Sequence, residues 1–281
     1  MNQQSPSVAV LMAVYNRDNP SHFADALDSL CPFAHRLNSV VLVADGPLTP
    51  ELEVVIEQRL LVLKILLVRL TQSIGLGGAL NEGLYRADSD FVLRMDSDDL
   101  SRAERLEVLL QRLDDDPKLD VIGSHIAEFN IDPARPHAER RMPLTHDEIA
   151  RRMRNRSMMN HVSCLLRRQK VIEAGGYVGG SGFSEDWWLW VRLLLSGAYF
   201  ANVDLVLVDV RVGNGFIGRR RGWTIFRQDL VLLRLMVKNG FITWHQAAGL
   251  ACIKLLQRKL PAAVVKKVYS AFRHIPRDLP P

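Results

Sequence analysis

Acidic side chains crowd two short stretches of this chain. Asp96-Ser97-Asp98-Asp99 places three carboxylates within four residues, and Glu185-Asp186 places two side by side. Ionised carboxylates this close repel one another, so the first group calls for a cation or for solvent. A hard divalent ion, Mn²⁺ or Mg²⁺, takes oxygen ligands and shares them with substrate phosphates. The spacing of Asp96 and Asp98 suits such an ion; the alternative is a solvated acidic loop ahead of a helix, where the macrodipole favours acids. Glu185-Asp186 follows Gly179-Gly180-Ser181-Gly182, a composition that would let a loop close over a substrate. Two acids opening a helix are the alternative there.

Other residues have chemistry to offer. Asp45, before Gly46-Pro47, has the acceptor needed to read a nucleobase N–H, or is a turn residue. The stretch Gly75-Leu76-Gly77-Gly78 brings backbone amides to a nucleotide or makes a tight turn. Leu80 stands where a dinucleotide fingerprint needs its third glycine, and no Gly-Lys-Ser/Thr follows, so Rossmann dinucleotide and P-loop sites are disfavoured. Arg94 would touch a nucleotide or pair with the nearby acids. Arg219-Arg220-Arg221 offers planar guanidinium groups suited to gripping a phosphate or diphosphate. Trp187, Trp188 and Trp190 would stack on a sugar or face a core.

The elements that must position these residues are legible in outline. Apolar runs at 8–14, 39–44 and 64–69 read as strands buried on both faces. Helices are expected at 20–30, at 49–60 with Thr49 as N-cap and Pro50 at the first position, and at 77–87. A strand at 91–95 leads into the acid loop. Ser101 to Glu104 reads as a capping box for a helix ending near Asp116-Pro117, and Thr145 to Glu148 as another. Strand and helix alternate four times, which predicts a parallel sheet covered on both faces with its ligand outside the strands' carboxyl ends. Further strands are expected at 121–131, 162–166 and 201–210, a helix at 185–196, and from Trp223 three helices broken at Gly240 and Pro261.

With 281 residues, 48% hydrophobic and 24% charged, the chain is neither disordered nor a small disulfide scaffold. Cys31, Cys164 and Cys252 lie far apart and form no CxxC, which fits a reducing cytoplasm. Neither a signal peptide nor a membrane span is expected. The net charge of +5 hides an asymmetry: residues 211–281 carry +12 and those before them −7.

Taken in order, Ala13-Val14-Tyr15-Asn16, Asp45-Gly46, the glycine stretch through Asn81-Glu82-Gly83, Asp96-Ser97-Asp98-Asp99 and Glu185-Asp186 make the chain resemble a family 2 glycosyltransferase of the GT-A fold over residues 7–222. The resemblance implies an α/β protein with a Rossmann-like, mainly parallel sheet flanked by helices. A catalytic domain at 1–222 would be followed by a basic helical extension at 223–281. It implies an inverting transfer of sugar from a nucleotide sugar, with UDP expected, to a saccharide or lipid-linked acceptor in bacterial surface polysaccharide synthesis. Ala13, Tyr15, Asn16 and Asp45 would hold the nucleobase. Gly75, Asn81, Arg94, Ser97, His161, Glu185, Arg219 and Arg220 would surround the rest of the nucleotide sugar. Asp96 would serve ribose and metal, Asp98 would bind the metal directly, with Asp99 a lesser ligand, and Asp186 would be the catalytic base. The Gln-x-x-Arg-Trp signature of processive synthases is absent, so one addition per encounter is expected.

Two rival readings remain. An aspartyl phosphotransferase also uses Asp-x-Asp, but at the end of its first strand, and an inactive nucleotide-binding module would keep the fold without the chemistry. The tail alternates Leu230, Leu233, Met236, Val237, Leu255 and Leu256 with Arg227, Arg234, Lys238, Lys254, Arg258 and Lys259. That composition suits helices lying on an anionic membrane surface, or helices packed on the catalytic domain with a basic outer face. No nucleic-acid motif accompanies the charge.

Overall fold

The computed structural model describes residues 5–178, 185–212 and 223–259. Four strands, β1 (Val8–Val14), β2 (Ser39–Ala44), β3 (Ile65–Arg69) and β4 (Phe91–Arg94), pair in parallel in the order β3-β2-β1-β4. Both faces of β1 are covered, which is why its apolar run is unbroken. Ala9 and Leu11 join one apolar layer, and Val8, Val10 and Met12 the other. The expectation that 64–69 is buried on both faces fails, because β3 is the sheet edge, where Leu66 and Arg69 are exposed and only Val68 is buried.

Beyond β4 the pairing becomes mixed. β8 (Leu165–Arg167) runs antiparallel to β4 and to β6 (Val121–Phe129), and β9 (Phe200–Arg211) runs parallel to β6. β5 (Leu100–Ser101) closes that edge antiparallel to β9, while β7 (Ala138–Arg140) pairs β6. The stretch expected as a strand at 162–166 begins as a 3₁₀ turn at His161–Ser163 and becomes strand only from Leu165.

Helices α1 (Pro20–Asp28), α2 (Pro50–Glu57) and α4 (Arg105–Asp115) cover one face, and α3 (Leu76–Arg86) and α7 (Glu185–Leu195) the other. α5 (His146–Met153) and α6 (Arg168–Glu173) flank α7. Asn19 caps α1 by accepting from the Ser21 and His22 amides, and Thr49 caps α2 as expected. The Ser101 capping box does not form. Ser101 pairs with Val208 in the sheet and its amide donates to Ser29 Oγ, so the helix starts only at Arg105. Thr145 precedes α5 without a side-chain cap.

The C-terminal helices are α8 (Trp223–Lys238) and α9 (Trp244–Lys259), separated at Gly240, whose φ is +70°. Leu232, Leu233 and Met236 of α8 enter the same apolar layer as α3 and α7. The apolar residues read from the sequence as membrane-facing on α8 are therefore core at Leu233 and Met236. Its outward row is Trp223, Arg227, Val231, Arg234 and Lys238. α9 is arranged the other way: Lys254 turns inward to Asp229, 2.7 Å away, and lies over the Trp187 ring, while Trp244, Cys252, Ile253 and Leu256 face out. Among the described residues no helix is long and apolar enough to cross a membrane.

Candidate active site

The carboxyl ends of β1, β2 and β4 open on a cleft of about 330 Å³. Ala13, Val14 and Tyr15 line it from the end of β1, Asp45 from β2, Ser73, Gly75 and Leu76 from the approach to α3, and Asp96, Ser97 and Asp98 from the loop after β4. Asp18 completes the wall. Asn16 is exposed and is not among the lining residues, so the strand-end motif reaches the cleft through Ala13 and Tyr15 instead.

Asp45 braces the glycine loop. Its carboxylate accepts from Ser73 Oγ at 2.7 Å and from the Ile74 and Gly75 amides at 2.7 and 3.1 Å. A carboxylate offers about four lone-pair positions, so one remains for a ligand N–H. Gly75 is in the left-handed region at φ +82°, which a side chain would disfavour.

The acid loop is held from below. Arg94 is fully buried and donates to the Met95 carbonyl and to Asp96. Its guanidinium thus meets the acids, the alternative that the sequence offered, and Arg94 is not among the residues lining the cleft. Arg105, equally buried, donates to the Arg94 and Val162 carbonyls, and burial lowers its pKa to about 9. Asp99 is also withdrawn: it accepts from the Arg211 amide at 2.8 Å and ties the loop to β9. Burial, then the charges of Asp96 and Asp98, raises its carboxyl well above the usual range. Asp98 faces the cleft, and the surrounding protein, then Asp96 and Asp18, push its carboxyl up to about 6. Ser97 Oγ donates to Asp18 at 2.8 Å.

Among the described residues no three His, Cys, Asp or Glu side chains converge as a metal cage. The donor set nonetheless fits an ion that shares its shell with phosphate, which takes only one or two carboxylates. Among the described residues no Lys or Arg lines the cleft beside Asp98, Asp96 and Asp18, and burial, then the charges of Asp96 and Asp18, raises the Asp98 carboxyl.

Several residues assigned to the donor are not among those lining the cleft. Asn81 spends both ends of its amide on the Tyr177 backbone, donating to the carbonyl and accepting from the N–H at 2.7 Å. His161 meets the Tyr177 hydroxyl at 2.8 Å and the edge of Trp190. Burial, then the Arg94 cation, lowers its imidazole well below the usual range, so it is neutral at pH 7. Trp187, Trp188 and Trp190 are buried, which settles them as core. Trp187 donates to the Met153 carbonyl at 2.9 Å. Glu185 and Asp186 open α7, half-buried, and the Glu185 carboxylate packs against Gly77. Burial, then Asp186, raises the Glu185 carboxyl. Arg219, Arg220 and Arg221 lie outside the described residues.

The sequence reading missed Asp18. Its signal was a fourth acid just past the end of β1, masked by the Asn19-Pro20 helix start that follows it.

A mainly parallel sheet covered on both faces, with a cleft at its strand ends and an acid loop after the fourth strand, is the architecture of a GT-A glycosyltransferase. The chain belongs to glycosyl transferase family 2, whose model matches residues 9–176. It is 32% identical over 268 residues to the amylovoran biosynthesis glycosyltransferase AmsE of Erwinia amylovora, covering 94% of this chain and 98% of that one. It is 29% identical over 276 residues to the UDP-Gal:alpha-D-GlcNAc-diphosphoundecaprenol beta-1,3-galactosyltransferase of Escherichia coli, covering 97% and 100%. Among solved structures, S. aureus TarS 1-349 in complex with UDP-GlcNAc superposes with a TM-score of 0.64 at 18% identity, covering 95% of this chain and 71% of that one. The mannosyltransferase PcManGT of Pyrobaculum calidifontis in complex with GDP-Man and Mn²⁺ gives 0.62 at 17%, covering 96% and 81%. These two likenesses bear on the fold.

Proposed function

We propose that this protein is an inverting, metal-dependent glycosyltransferase of bacterial surface polysaccharide synthesis. It moves a sugar from a UDP-sugar to a hydroxyl of a saccharide or lipid-linked glycan. The observation that carries the reading is one cleft with Asp45 at the β2 end, Asp96 and Asp98 at the β4 end and the Gly75 loop between them. The polysaccharide and lipid-diphosphate chemistry in the relatives' names supports the acceptor class.

In this reading the free lone pair of Asp45 accepts the base N–H, Tyr15 lies against the base, and Asp96 and Ser97 face the ribose. Asp98 and Asp96 would hold Mn²⁺ or Mg²⁺. When bound, that ion supplies Lewis-acid stabilisation of charge on the diphosphate. Asp186 takes the proton of the acceptor hydroxyl as its oxygen bonds to the anomeric carbon from the face opposite the nucleotide. The bond to the diphosphate breaks with its electron pair, and a single displacement inverts the anomeric configuration. Residues 1–222 form the catalytic domain in this reading, and the α8–α9 hairpin rests on the anionic inner face of the membrane, near a lipid-linked acceptor.

Thermal unfolding with UDP, with and without Mn²⁺, tests the donor site. A ligand at a hundred times its Kd stabilises the native state by about 2.7 kcal/mol. We expect a rise in Tm with UDP and Mn²⁺ together that Asp98→Asn abolishes. An unmoved Tm, or a rise that survives Asp98→Asn, overturns the site.

A further inference from the structure

The catalytic helix is docked on the donor helix through both stems of its preceding segment. Tyr177 and Glu185 flank residues 179–184, and both are gripped by α3. Gly77 and Asn81, four residues apart, share one face of that helix. Asn81 holds the Tyr177 backbone at both of its polar groups. The approach is close: a Cβ on Gly176, whose φ is +61°, would lie 2.4 Å from Asn81 Oδ1. At the other stem the Glu185 carboxylate packs against Gly77, where a Cβ would lie 2.5 Å from Glu185 Oε2. The same helix begins at the cleft wall, where Gly75 and Leu76 line the donor pocket.

We propose that Glu185 and Asn81 are positioning residues for Asp186, docking both stems of its segment on the Gly77–Asn81 face of α3 and so fixing the base relative to the donor cleft. The proposal rests on the reading of Asp186 as the base. It gives Asn81 and Glu185, both expected at the nucleotide sugar, a different task. It also explains why residue 77 is a glycine although its φ does not demand one: the carboxylate occupies the space a side chain would need.

Steady-state kinetics with UDP binding by calorimetry tests this. Misplacing a reacting group by about 1 Å costs on the order of 100-fold in rate. Glu185→Ala, Asn81→Ala and Gly77→Ala are each expected to lower kcat by about 10- to 100-fold, with donor KM and UDP affinity within about twofold of wild type. Glu185→Gln, which keeps the length and shape of the side chain packed against Gly77, is expected to keep most of the turnover. Gly77→Ala guards against misfolding, because alanine is the better helix former; its Tm should not fall while its kcat does. Wild-type kcat in Glu185→Ala and Gly77→Ala overturns the proposal. So does a loss carried by donor KM, or a Glu185→Gln variant as slow as Glu185→Ala. Asp186→Asn separates the two readings. Normal turnover there sinks the base assignment itself, whereas a dead Asp186→Asn beside normal positioning variants sinks only this proposal.

Discussion

Asp98, Asp96 and Asp18 all line the cleft, where burial, then the charges of Asp96 and Asp18, raises the Asp98 carboxyl. In the proposed metal site, proton and ion compete for Asp98. With its carboxyl pushed up to about 6, the group ionises as pH rises through that value. Mn²⁺-dependent UDP binding is therefore expected to strengthen between about pH 5 and pH 7.5, measured by calorimetry at fixed ionic strength, and a flat profile would remove Asp98 from the ion. In the ion-free protein the sign reverses. A raised folded value means that Asp98 contributes stability below the ordinary carboxylate range and loses it as pH rises through about 6. With Asp186 as the proposed base, Asp186→Asn should lower turnover by about 10² to 10⁴ with UDP affinity unchanged. Loss of UDP binding in that variant would make Asp186 a donor contact. Asp45, Asp96 and Asp98 were legible in the sequence because each sits at or just past the carboxyl end of a strand that a local apolar run locates. Asn81 and Arg94 were not, because their partners are set by burial and by distant backbone, at Tyr177 for the one and beneath the acid loop for the other.

Helix α3 serves the sheet as closely as it serves the site. Gly83 faces β1 and β2, and a Cβ there would come within 2.5 Å of Leu11 Cδ1 and 2.8 Å of Val43 Cγ2. Overpacking of this kind costs about 1–3 kcal/mol. Gly83→Ala is thus expected to lower stability by that amount in urea unfolding with an unchanged m-value, despite the gain in helix propensity. A variant as stable as wild type would show that α3 rides further from the sheet. Gly77→Ala, six residues earlier on the same helix, is expected to spare stability and slow the reaction, so the pair separates packing from positioning. Elements whose causes are local were readable. β1 and β2 follow from Val-rich runs covered on both faces, and α2 from Thr49-Pro50. β5 and β8 were beyond the sequence's reach in their bounds, because strands of two and three residues exist only through pairing with β9, β4 and β6. The same pairing displaced the expected cap at Ser101.

The charge asymmetry of the whole chain acquires a shape at its C-terminal hairpin. On α9 the exposed positions from Trp244 to Leu256 carry no lysine, arginine or acid, and Lys254, the one lysine in that span, is turned inward to Asp229. A stretch from Trp244 to Leu256 with Lys254 inside and Trp244, Ile253 and Leu256 outside is unlike an ordinary solvated surface, where charged side chains cover the outer face. Its neighbour α8 supplies Arg227, Arg234 and Lys238 on an outward row with Trp223. Apolar insertion plus cationic attraction is the combination that binds an anionic interface, with each basic residue near the surface contributing about 1 kcal/mol. The full-length protein is expected to float with vesicles of phosphatidylcholine and phosphatidylglycerol, less so as salt is raised, and to stay behind with phosphatidylcholine alone. Ile253→Asp with Leu256→Asp should abolish flotation and leave turnover on a soluble acceptor intact, since neither side chain lines the cleft. Arg234→Glu should weaken flotation without abolishing it. Equal flotation on neutral vesicles would discard the electrostatic part. A protein that stays at the bottom of the gradient, and sediments as a dimer unless Ile253 and Leu256 are replaced, would assign this face to a second copy of the chain instead of a bilayer.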